Sequence, residues 1–100
     1  MSTVNNGLDE IVHIVATEQY RATKRGALSM WTIYYKPKDW PDGYIARRHE
    51  TKDGATIATA NALGGDDNVL PSLRHVFDTA GLVCITRHPD DDEKIVEVWM

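Results

Sequence analysis

MWTIYYKPKDWPDGYIARRHE, residues 30–50, carries five aromatic and four Lys/Arg side chains on one hairpin-like segment. Its opening run, MWTIYYK (30–36), is rich in strand formers. KPKDWPDG follows with two prolines and an Asp-Gly pair, so the chain must leave the strand and turn. YIARRHE, residues 44–50, reads as the return strand. Lys52-Asp53-Gly54 is a second turn signal, and Ala55–Thr59 reads as a short third strand or a continuation of the second.

Downstream, ANALGGDDN (60–68) reads as a loop ending in helix-capping chemistry, with Asp67 or Asn68 accepting the first free amides. Pro71 suits a first helical turn. Leu70, Leu73, Val76, Phe77 and Ala80 form one apolar stripe, and Gly81 supplies a left-handed stop, which predicts a helix over 69–80. LVCITR (82–87) and IVEVW (95–99) read as two more strands joined by HPDDDEK. Residues 30–100 therefore run β-β-(β)-α-β-β. The expected fold class is α+β: a small, mainly antiparallel sheet with one helix packed on a face.

Upstream, residues 1–29 read as an extension. Leu8, Ile11, Val12, Val15, Ala16 and Gln19/Tyr20 fall at helical spacing and predict a helix over 8–24, stopped at Gly26. Met30 offers a second reading of the start. A chain beginning there would retain the strong strand and helix signals, which makes 1–29 an accessory segment in the first reading and a misassigned start in the second.

Side chains alternate across a strand. Trp31, Ile33 and Tyr35 share one face, with Thr32, Tyr34 and Lys36 opposite. Val96, Val98 and Met100 stand against Ile95, Glu97 and Trp99, and neither face is cleanly polar. A helix of three turns shelters part of one face, and each exposed large side chain forgoes about 1.5–3 kcal/mol of burial. A second layer is therefore expected, from the 8–24 helix, a second copy of the chain, or another partner.

Composition bounds the function. The chain has 100 residues, enough for one small domain, and a net charge of −4. Residues 1–50 carry seven Lys/Arg and six Asp/Glu, and residues 51–100 carry four and nine. That balance disfavours broad binding to nucleic acid or an anionic membrane, yet permits a local basic patch. Cys84 is the single cysteine, which suits a reducing cytoplasm. No apolar run has the length or flanks of a signal peptide or membrane span. The build, a short strand-rich chain ending in an apolar strand, is common among small bacterial proteins.

Chemistry-bearing sets are sparse. His49 and Glu50 are adjacent on a strand and point to opposite faces, so they do not converge as acid and base. Cys84 lies in the apolar run LVCI, where a cysteine is ordinarily inert core. The four histidines lack ligand spacing, and Asp90-Asp91-Asp92-Glu93 reads as a solvated connector. No catalytic residue, cofactor or metal site is expected. The candidate binding residues are those that interleave rings and cations on or near the hairpin: Tyr34, Lys36, Trp40, Tyr44, Arg47, Arg48, His49 and Arg87. The expected function is a non-enzymatic cytoplasmic module acting through a homodimer or a protein partner. The alternative is nucleic-acid binding by stacking and phosphate contact on the hairpin surface.

Overall fold

The computed structural model describes residues 6–85 and 92–100. The elements run α1 (Asn6–Lys24), β1 (Leu28–Tyr35), β2 (Tyr44–Lys52), β3 (Ala55–Gly64), α2 (Leu70–Thr79), β4 (Cys84–Ile85) and β5 (Ile95–Trp99). The strands form one five-stranded sheet in the order β3-β2-β1-β5-β4, antiparallel at every pairing. The α+β class and antiparallel sheet are as the sequence predicts, with two helices in the fold.

α1 places Asp9 in its first turn and Arg21 and Lys24 in its last, complementing the helix dipole. It ends in a Schellman motif: the Ala27 amide donates to Ala22 O (2.8 Å) and the Gly26 amide to Thr23 O (3.0 Å), with Gly26 at φ 75°. That exit feeds the chain straight into β1, which starts two residues before the predicted Met30. α2 ends the same way. The Leu82 amide donates to Phe77 O and the Gly81 amide to Asp78 O, with Gly81 at φ 91°. Leu82 therefore closes a helix and enters the core instead of opening the predicted 82–87 strand. The two-residue turn Asp53-Gly54 has positive φ at both positions, 52° and 80°, the type I′ geometry whose twist matches a hairpin.

Other expectations need correction. The α2 N-cap is Val69, with no side-chain cap bond. Asp66 takes the acceptor role nearby, receiving the Asn68 amide on Oδ1 at 2.8 Å and the Val69 amide on its carbonyl at 3.2 Å, so Asp67 and Asn68 do not cap. β3 runs five residues beyond the predicted Thr59. A bulge opposite Arg48 absorbs extra residues of β3 and lets pairing resume at Ala62–Gly64. That bulge hides the alternation on which the sequence reading relied.

Opposed residues in an antiparallel ladder share a face. Ser29, Trp31, Ile33 and Tyr35 of β1 therefore lie with Glu50, Arg48, Ala46 and Tyr44 of β2, and Trp31 and Ile33 with Trp99 and Glu97 of β5. This is the covered face. Trp31, Ile33, Ala46 and Trp99 pack there with Val15 of α1, with Leu73, Val76 and Phe77 of α2, and with Leu82. Phe77 sets its ring between Trp31 and Trp99, tilted to both, at centroid distances of 5.4 and 5.9 Å. Gln19 of α1 ties in from the other end, accepting from Trp31 Nε1 and donating to Ser29 O. Both helices thus share one side of the sheet.

Candidate interaction surface

The opposite face follows from the same register. Three rows cross it. Ile95, Tyr34, Ile45 and Gly64 make one; Ile85, Val98, Thr32, Arg47 and Ala62 the next; Met30, His49 and Ala58 the third. Val83 and Met100 extend the third row, exchanging both backbone hydrogen bonds at 2.9 and 3.1 Å. Among the described residues no helix covers this face. Its β4–β5–β1 half is apolar, and Val83 (66%), Leu28 (48%) and Ile85 (42%) stand exposed on it. Its β2 half carries Arg47, His49 and Thr51, and β3 contributes small side chains.

The Lys36–Gly43 turn folds back over one corner. Gly64 pairs with Ile45, and a Cβ at Gly64 would lie 2.8 Å from the Trp40 ring, so the indole sits on the open face above that pair. Trp40 Nε1 donates to Gly65 O at 3.0 Å, and Asp39 accepts from Arg47 at 2.5 Å. This turn buries Ile45 to 6% exposure. Gly43 lets it approach the 65–66 backbone, since a Cβ there would come within 2.6 Å of Asp66 Cα.

The eight predicted binding residues do not form one surface. Tyr34, Arg47 and His49 lie on the open face, with Trp40 folded onto it. Arg48 lies on the covered face, 4% exposed. Its guanidinium donates to Asn61 (2.8 Å) and Ser29 (3.1 Å) and pairs with Glu50 (2.6 Å) and Glu18 of α1 (3.4 Å). That network binds α1 to the β2–β3 bulge and leaves Arg48 no reach toward an outside ligand. Glu50 also accepts from Arg25 at 2.6 Å. The Arg25 and Arg48 bonds together hold its carboxyl below the ordinary carboxylate range. Tyr44 packs on the covered face against Tyr35, ring centroids 4.6 Å apart. Lys36 lies at the turn, its ammonium 5.2 Å from the Tyr35 ring and 3.8 Å from Asp67. Arg87 lies outside the described residues, as do His88 and the Asp90-Asp91 part of the acidic connector.

Cys84 corrects a second expectation. It is exposed, on the outermost strand β4 at the margin of the sheet. Partial desolvation, with Glu97 nearby, pushes its thiol above the ordinary value, so it is accessible without being activated. Glu97 is held by Arg74 through Nε (2.9 Å) and Nη2 (2.5 Å) and receives Trp99 Nε1 at 3.0 Å. Burial pushes its carboxyl up, but the Arg74 and Trp99 bonds outweigh it and hold the pKa low. An apolar cleft of about 110 Å³ opens between α1 and α2, lined chiefly by Leu8, Ile11, Leu63, Val69 and Leu73. Among the described residues no three His, Cys, Asp or Glu side chains converge as metal ligands, and no helix is long and apolar enough to cross a membrane.

The sequence reading missed Leu28, Val83, Ile85 and Val98 as surface residues. The strands look apolar on both faces in sequence, and only the register and helix placement decide which face is open. Comparisons with protein-family models, curated protein sequences and solved structures return no match for this chain.

Proposed function

We propose that the chain is a non-enzymatic cytoplasmic module that acts by association through its open sheet face, with a second copy of itself as the partner. The observation that supports this is the apolar half of a face that neither helix shelters. Leaving Val83, Ile85 and Leu28 in water forgoes burial of order 1 kcal/mol or more for each, and contact with another apolar surface recovers it. Five strands about 4.8 Å apart and about six residues at 3.3 Å each give a plan area of roughly 500 Å². Two such faces stacked at about 10 Å would bury roughly 1,000 Å², the lower limit for a specific interface. An exposed, unactivated thiol is compatible with a reducing compartment.

The nucleic-acid reading loses support at the level of single cations. Arg48 is buried in its own network, Arg47 is paired with Asp39, and Lys36 lies near Asp67. The test is light scattering over a dilution series, with the double variant V83K/I85K beside the unmodified chain. Association that rises with concentration and weakens in the variant supports the proposal. A strict monomer at the highest soluble concentration overturns it.

A further inference from the structure

β3 forms one margin of the sheet, and among the described residues no strand lies beside its outer backbone. Edge strands are ordinarily guarded by charge or proline. β3, ATIATANALG, has neither along its ten residues. Its hydrogen-bond phase is fixed by the adjoining turn. Lys52 and Ala55 flank the Asp53-Gly54 type I′ turn and close the ladder, so Ile57, opposite Glu50, bonds inward to β2. Thr56 and Ala58 then aim both N–H and C=O away from the sheet. Ile57 is 62% exposed, the one large apolar side chain of β3 that stands in water.

We propose that residues 55–59 of β3 pair antiparallel with the same residues of a second copy, about a two-fold axis through Ile57. In that register Thr56 of each copy faces Ala58 of the other and the two exchange their free N–H and C=O groups. Ile57 meets its mate in the wide pair, where Cα atoms approach to about 4.5 Å. Ala55 faces Thr59. No charge is set against itself, the condition that an isologous strand pair must meet and that a charged edge fails. The β3 bulge ends the pairing after Thr59, which limits the seam to equal lengths on both copies. The two sheets join into one, and their open faces stay available, so this seam is separate from face-to-face association.

The experiment crosses the two surfaces. Light scattering is run on the unmodified chain, on V83K/I85K, on I57K, and on V83K/I85K with I57K or A58P added. Ile57 is exposed, and the Ala58 amide points outward, so neither change removes a bond of the chain's own ladder. Circular dichroism confirms that each variant is folded. The expected result is a dimer for V83K/I85K that becomes a monomer when I57K or A58P is added. Amide exchange at Thr56 should slow as the concentration of V83K/I85K rises. A V83K/I85K protein that is monomeric at every concentration, or a dimer that survives the added I57K, overturns the seam. A monomeric I57K beside a dimeric V83K/I85K instead leaves the seam standing and removes the face reading.

Discussion

Replacing Arg48 by Met separates a binding role from a structural one. The Arg48 side chain is 5% exposed, and the guanidinium holds two carboxylates, a serine hydroxyl and an asparagine carbonyl at 2.6–3.4 Å. Methionine fills much of the volume and removes all four contacts. Breaking a buried ion pair by deleting one partner costs about 3–5 kcal/mol. The lower end applies, because Glu50 retains Arg25 at 2.6 Å and Glu18 retains Arg21 at 3.7 Å. A loss of about 3 kcal/mol lowers Tm by roughly 12–20 °C in a domain of this size. The assay is urea and thermal unfolding followed by circular dichroism. pH adds a second arm. Glu50 has a lowered folded pKa, so its contribution is present above the ordinary carboxylate value and is lost as pH falls through the folded one. The acid limb of the stability curve should therefore be shallower in E50Q. An R48M protein destabilised by less than about 1 kcal/mol, or an E50Q acid limb identical to the unmodified one, refutes the network.

Three further outcomes follow from local geometry. G64A pushes a methyl into the Trp40 ring and should lift the turn from the open face, shifting tryptophan emission to longer wavelength with a cost of about 1–3 kcal/mol. Cys84 should label to completion in the folded protein, slowly at neutral pH and faster as pH rises through its elevated pKa; protection until unfolding would place it in the core. A chain restricted to 30–100 loses Val15 and Ala22, both 0% exposed, and the Gln19–Trp31 bond, and should be insoluble or unfolded; a folded, soluble fragment would make α1 an accessory.

The hairpin over 30–50 was legible because its cues are local: strand formers, two prolines and an Asp-Gly pair. α2 was legible for the same reason, its stripe of Leu73, Val76 and Phe77 ending at Gly81. The helical spacing from Leu8 to Gln19 identified α1, but its side of the sheet depends on Val15 meeting Phe77's cluster and on Gln19 meeting Trp31, contacts that no local pattern encodes. The binding set failed to converge for a related reason. Arg47 and Arg48 are neighbours in sequence and lie on opposite faces, and only the helices' position makes one buried and the other open. β3 and Cys84 were misread where a bulge and a sheet margin break the periodicity that the reading relied on.

Oxidative and carbene footprinting of the open face across a dilution series tests the central claim most directly. In dilute protein Val83, Ile85, Met30 and Met100 should label readily while Trp31 and Phe77 stay protected, and raising the concentration should protect the first group. Labelling of that group that is equally strong at every concentration would contradict association. Protection of it at the lowest concentration would contradict a sheet covered on one side only.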